Sequence, residues 1–355
     1  MKKLLGLPLV ILVVAGLILG GRSPSPSAAP SSAPEKPIRL KLSFEWAETG
    51  NVYQYGYKPW IAEVEKRTNG RVKIIPYFSN SLAPLPEFMQ TALTGVADLV
   101  ETDAPLAPGQ LPLQEMFSQL LPSSPWTRWS KVYWDLMLKF DEWNKKELKG
   151  LKPIFTQSFG AGKIAMLKKP IRSVKDIPGT KLMAIGAPSI NQITAMGFTA
   201  IEKYPPEFFS TLEKKVTDGC GLCEQALYYE FGIAPLLKYV LDVCQGNVNF
   251  TLVMNPNTWN SLPPDIQKVF EDVGGYYAAN LFDNMYYQKI IVEGRKMMWD
   301  KYGCEFIKLP AEDMAILDER VKPYQQQFRN KIAAKGLPAQ EIYDRYHQLI
   351  KENKF

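Results

Sequence analysis

The stretch from Pro263-Pro264 to Tyr302 sets the scale of this fold. Its apolar residues fall at helical spacing, Ile266, Val269, Phe270 and Val273 first, then Ile291, Val292 and Met298. A helix of that length runs to roughly 60 Å, about twice the width of a small domain. Either it kinks at Gly274-Gly275 or it serves two cores, and the spacing favours both. The 355 residues are enough for two lobes, each with its own core.

The remaining pattern alternates strands with helices. Ile38, Leu40, Leu42 and Phe44 have the period of a half-buried strand. Tyr57, Trp60, Ile61 and Val64 put a helix over 52–68, which Asn69-Gly70 stops. A strand over 71–78, a helix over 85–95 and a strand over 96–102 follow. Strands separated by helices imply parallel βαβ units. The middle repeats the scheme: strands in "LKPIFTQSF", "GKIAMLKKP", "TKLMAIG", "FTAIEKY", "KYVLDVC" and "VNFTLVMN", and helices over 189–197 and 205–215. "VTDG" reads as the end of a strand ahead of the cysteines. "CEFIKLP" is a last strand, and the C-terminus reads as helical to Lys354, interrupted at Pro323 and at 336–338.

The N-terminus reads as an address. A basic "MKK" precedes an apolar run from Leu4 to Gly21, a length between a signal peptide and a short membrane span. The first cysteine is Cys220, so lipid attachment behind this run is excluded. Cleavage after Ser27 and an uncleaved anchor both remain open, and either places the body outside the cytoplasmic membrane. Residues 22–37 form a Ser/Pro/Ala tether with nothing to bury. Net charge is +6, of which the leader and tether carry +3. The body has no long basic run, which argues against nucleic-acid binding.

Chemistry is sparse. The sole histidine, His347, reads as a surface residue of the final helix, without a partner for metal binding or general-base work. No nucleotide, nucleophile-elbow or metalloprotease motif occurs, and no cofactor or metal is expected. Cys220 and Cys223 form a Cys-x-x-Cys, with Cys244 and Cys304 further on. In an oxidising compartment the four allow three pairings. A redox dithiol needs a thiolate of low pKa, and zinc needs a second ligand pair at suitable spacing. Structural thiols or a disulfide are the expected reading. Aromatic residues cluster at strand ends, where open α/β sheets bind ligands.

Five ordered segments carry a resemblance: "WIAEVEKRTNGRVKIIPYFSNSL", "ALTGVADLV", "KPIRSVKDIPGTKL", "PPEFFSTLEKKVTDG" and "NTWNSLPPDIQKVFED". Together they resemble the extracytoplasmic solute-binding proteins of TRAP transporters, the DctP-like family, over roughly 38–310. The resemblance implies an α/β, two-lobed periplasmic-binding-protein-like fold, with mixed sheets flanked by helices and a long helix spanning both lobes. Its boundaries would be 38–159 with 249–285 for one lobe, 160–248 with 286–320 for the other, and 321–355 for C-terminal helices. It implies a monomer that captures a small organic solute between lobes closing about hinge strands, and then docks on TRAP permease membrane subunits. No enzymatic step is implied.

Two positions depart from the family. Met183 stands where relatives carry an arginine that grips the substrate carboxylate bidentately, and Leu222 stands where they often carry an asparagine. Cys220 then belongs to a cleft wall. Lys163, in "FGAGK", matches a second cation position and is the remaining anchor for an acid. The alternative is a less polar, aromatic organic acid sandwiched by Trp46, Phe159 and Tyr204 with Met183 packed against it. Glu101 and Asp103 either accept hydrogen bonds from ligand hydroxyl or amine groups or are solvated loop carboxylates. The competing functions are a ligand-sensing domain and a secreted thiol oxidoreductase using Cys220 and Cys223.

Overall fold

Alternation along the first strand translates directly into a sheet face. In the computed structural model, which describes residues 36–103 and 109–354, Leu40 and Leu42 of β1 (Ile38–Ser43) are buried while Arg39 and Lys41 face solvent. The leader, most of the tether and 104–108 lie outside the described residues. β2 (Val72–Tyr77) and β3 (Leu99–Asp103) flank β1 in parallel. The helix before β2 buries Trp60, Ile61 and Val64, the face its spacing predicts, and ends where Asn69 and Gly70 turn left-handed at φ 50° and 74°.

β4 (Lys152–Ala161) is the longest strand, and only Gly162 separates it from β5 (Lys163–Met166). There follow β6 (Lys181–Ala184), β7 (Thr199–Glu202), β8 (Gly219–Leu222), β9 (Tyr239–Leu241), β10 (Asn247–Met254) and β11 (Glu305–Ile307). The first sheet has the order β2-β1-β3-β10-β4 and the second β11-β9-β5-β8-β6-β7. Both are mixed: β10 runs antiparallel to β3 and β4, and β5 runs antiparallel to β8 and β9. The chain thus passes between sheets at β4–β5 and returns at β9–β10. The two crossings are tied together, Gly162 N donating to Gly246 O at 2.8 Å and Gln245 N to Gly162 O at 3.0 Å.

The long helical stretch breaks where its glycines predict. Pro264–Val273 ends at Gly274, and a side chain on Gly274 would overlap the carbonyls of Ile154 and Phe270. Gly275 follows at φ +44°, under the Trp134 indole. The Val273 carbonyl, freed by the break, accepts from Trp60 Nε1 at 2.9 Å. The helix then runs on through Gly275–Met285, a wider-turned π segment Tyr286–Gly294 and Arg295–Tyr302. Its first part packs on β4, and its later part on the helix Glu224–Tyr228 of the second half.

Three local expectations differ from the structure. Pro323 does not interrupt Ala311–Ala333. It lies on the exposed face, where water satisfies the carbonyl its missing N–H leaves free. No strand precedes the cysteines: "VTD" is a loop, and β8 itself carries Cys220. His347 is half-buried against the Tyr343 ring at 4.2 Å, and burial pushes its pKa down to about 4. The break after Ala333 and the helix Ala339–Glu352 match the spacing.

Candidate functional site

One face of the second sheet collects four of the nine residues the sequence singles out. The register pairs Met183 of β6 with Cys220 of β8, Ala165 of β5 with Cys220, and Lys163 with Leu222. Side chains alternate along strands, so Lys163, Ala165, Met183, Cys220 and Leu222 share this face, while Ile164, Met166, Leu182 and Ala184 join a separate core behind it. Glycines make the arrangement possible. A side chain on Gly219 would strike the Ala165 carbonyl, and one on Gly221 would strike Ile193 of the helix Ala187–Met196. The Cys-x-x-Cys is therefore a strand and its exit, with Cys223 preceding the five-residue helix Glu224–Tyr228.

The four cysteines are free thiols. Burial pushes Cys220 up to about 12. Burial does the same to Cys223, to about 12, with the carboxylates of Glu230, Glu45 and Glu224 adding to it. A redox dithiol requires the opposite shift.

The first sheet and the long helix bring aromatic rings into the same apolar cluster. Trp46, just beyond β1, meets Phe159 of β4 edge-on at 4.9 Å and Phe250 of β10 at 5.5 Å. Tyr286 stacks on Phe159 at 6.1 Å. Met183, Cys220, Leu222, Phe159, Phe250 and Tyr286 belong to one apolar cluster that bridges the sheets, with Trp46 packed against it. Tyr204 does not join them. It precedes the turn Pro205–Glu207 and is 54% exposed, because proline-proline holds that segment at the surface.

Glu101 is not a solvated loop carboxylate. It lies within β3, 1% exposed, and accepts from Trp46 Nε1 at 2.7 Å, from the Tyr57 hydroxyl and from the Gln157 amide. No cation reaches it among the described residues. Burial pushes its pKa up to about 8, repulsion from Glu45 adds to that, and the three donors oppose it. Glu45, next to Trp46, is raised to about 7 by burial and by Glu230. Asp103 ends β3, and its side chain lies outside the described residues.

Lys163 is 3% exposed and does not stand alone. Its Nζ lies 2.7 Å from Asp242, just past β9. Arg295, at the end of the π segment, reaches the same Asp242 oxygen at 3.5 Å and Glu224 at 2.8 Å. The Trp126 indole lies under both cations, 4.7 Å from Lys163 Nζ and 5.1 Å from the Arg295 guanidinium. Burial works against the charge on Asp242, yet Lys163 and Arg295 hold its carboxyl below the usual range. Glu45, Trp126, Glu224, Asp242 and Arg295 were not found from the sequence. Glu45 and Asp242 follow strands, a position that could have flagged them. Arg295 carries no local signal.

The comparisons agree with this architecture. The family profile described as bacterial extracellular solute-binding protein, family 7, matches residues 42–332. A marine-metagenome TRAP solute-binding protein specific for aromatic acid ligands, solved with metahydroxyphenylacetate, is 22% identical. It superposes with TM-score 0.80 over 90% of this chain and 100% of its own. A TRAP periplasmic solute-binding protein from Desulfovibrio salexigens is 24% identical, with TM-score 0.78 over 89% of this chain and 97% of its own. One from Rhodoferax ferrireducens, with copurified benzoate, is 20% identical, with TM-score 0.78 over 89% and 98%.

Proposed function

The chain belongs to the bacterial extracellular solute-binding proteins of family 7, and from that premise we propose that it captures a small, weakly polar or aromatic organic acid between its two sheets. The observation that carries this reading is the apolar cluster that joins buried Met183, Cys220 and Leu222 of the second sheet with Phe159, Phe250 and Tyr286, Trp46 packing against it. Aromatic rings facing a thioether and an aliphatic side chain suit a flat apolar ligand body. Structural relatives solved with benzoate and metahydroxyphenylacetate support the same class of solute. The protein acts outside the cytoplasmic membrane as a monomer and delivers its solute to TRAP permease subunits. An N-terminal anchor holds it to the membrane only if the leader stays uncleaved. It binds without transforming its ligand, and burial that raises the pKa of Cys220 and Cys223 disfavours the thiolate that a dithiol oxidoreductase would need.

A ligand that binds only the folded protein raises its melting temperature. Benzoate, 3-hydroxybenzoate and succinate, screened by thermal shift, separate the possibilities. A rise with the aromatic acids and none with succinate supports the reading, and the reverse refutes it. Met183→Arg places a guanidinium on the apolar wall and weakens binding of the aromatic acids. Stronger binding of succinate by that variant, with aromatic binding unaffected, would also refute it.

A further inference from the structure

A solute that is an acid needs a cation free to receive it, and two cations stand at the edge of the apolar cluster. Lys163 and Arg295 meet over one indole. Trp126 lies 4.7 Å from Lys163 Nζ and 5.1 Å from the Arg295 guanidinium. The same indole packs against the cluster that holds Met183, Cys220 and Leu222. The two cations differ in what they have left to offer. The Lys163 side chain is 4% exposed and fixed on Asp242 at 2.7 Å. The Arg295 side chain is 22% exposed. It gives Nε to Glu224 at 2.8 Å, and its Nη2 lies 3.5 Å from Asp242. Its Nη1 donates to no protein group among the described residues.

The shape of a guanidinium gives this division a meaning. The end-on pair Nη1 and Nη2 takes a carboxylate through two parallel hydrogen bonds. Charge-assisted bonds of that kind run to about 2.7–2.9 Å, so a contact of 3.5 Å holds Nη2 loosely. Arg295 is thus secured at Nε and leaves its end-on pair nearly unused. The secured side is rigid. Glu224 is 0% exposed and also accepts from the Tyr228 hydroxyl at 2.6 Å. Phe306 lies 5.1 Å from the guanidinium, as Trp126 does. Arg295 directly follows the π segment, and Gly294 lets that turn close on Tyr228, whose ring a side chain at 294 would meet at 2.8 Å.

We propose that Arg295 receives the solute's carboxylate through Nη1 and Nη2, with Trp126 and Phe306 fixing the guanidinium and Asp242 giving up Nη2. This rests on the reading of the protein as a binder of aromatic acids and names the residue that makes it select an acid. Asp242 and the solute compete for Nη2, so the aspartate holds the affinity for any acid below what the two cations could supply.

Titration calorimetry on the full chain with benzoate and benzamide tests this, because the two share a ring and differ in charge. Urea unfolding first establishes that each variant is folded. Arg295→Lys keeps a cation beside Glu224 but cannot form the two parallel bonds. Its benzoate affinity is expected to fall by about tenfold or more, with benzamide little changed. Asp242→Asn removes the competitor and leaves Lys163 and Arg295 with surplus positive charge. It should bind benzoate about threefold more tightly, a gain that a merely loosened fold would not produce. Unchanged benzoate affinity in Arg295→Lys, or unchanged or weaker affinity in Asp242→Asn, overturns the assignment and leaves the aromatic-acid reading standing. A wild-type protein that binds neither benzoate nor 3-hydroxybenzoate overturns both.

Discussion

Two carboxylates withdrawn from water, the fully buried Glu101 in the first sheet and the half-buried Asp242 beside the second, become opposite acids according to their partners. Glu101 is held by an indole, a phenol and an amide, all neutral, and its pKa rises to about 8. Asp242 is held by Lys163 and Arg295, and its pKa falls despite burial. Desolvation penalises both charges, and only a partner of full opposite charge overcomes it. The first sheet therefore favours a proton on Glu101, where the second holds an ion-pair chain.

The contrast is broken most severely at Arg295. Arg295→Met leaves Glu224 buried with only the Tyr228 hydroxyl and exposes Asp242 to a single cation. Losing one partner of a buried pair costs about 3–5 kcal/mol, measurable by urea unfolding. Lys163→Met should cost less, about 1–3 kcal/mol, because Arg295 stays in contact with Asp242. A larger loss for Lys163→Met than for Arg295→Met would show that Lys163, not Arg295, is the centre of the chain.

On the first-sheet side the effect appears in pH dependence. Glu101 binds its proton more tightly folded than unfolded, so its contribution to stability is complete below about pH 4.5. That contribution is lost as pH rises toward about 8. Wild-type stability should fall over this window by no more than about 1.4 kcal/mol per pH unit from this one group. Glu101→Gln should flatten that part of the curve, and an unchanged slope would show that Glu101 is ionised throughout. The smallest effect is expected from removing the leader and tether. A chain beginning at Lys36 should bind the same probes with affinity within about twofold, because 22–37 has nothing to bury. A larger drop in calorimetry would show that the tether packs on the body.

Much of the second-sheet face was legible because its residues lie in ordered motifs: Lys163, Met183, Cys220 and Leu222 come from β5, β6 and β8, neighbours in the sheet, whose period of two decides which side they take. The glycine break at 274–275 was legible for the same local reason. What could not be read were contacts between distant segments. Arg295 finds Glu224 across 71 positions and Asp242 across 53, and no spacing announces either. The exposure of Tyr204 could not be read because an aromatic beside a proline turn looks the same in sequence whether the turn faces the core or water. For Glu101 both readings stayed open although it falls inside the strand read over 96–102, because the alternation does not tell that Trp46, Tyr57 and Gln157 close over it.

The paired crossings carry a mechanical consequence. Two chains pass between the sheets side by side, and Gly162 and Gly246 sit where they touch, bonded to one another. Gly246 has φ +116°, and a side chain on Gly162 would collide with the Gln245 amide. Sliding one crossing past the other would break the bonds that join them, and the long helical stretch makes a further connection between the halves. A side chain at Gly246 would have to adopt a left-handed backbone, and one at Gly162 would have to displace the Gln245 amide, so a substitution at either changes how the two crossings are joined without touching a residue proposed to meet the solute.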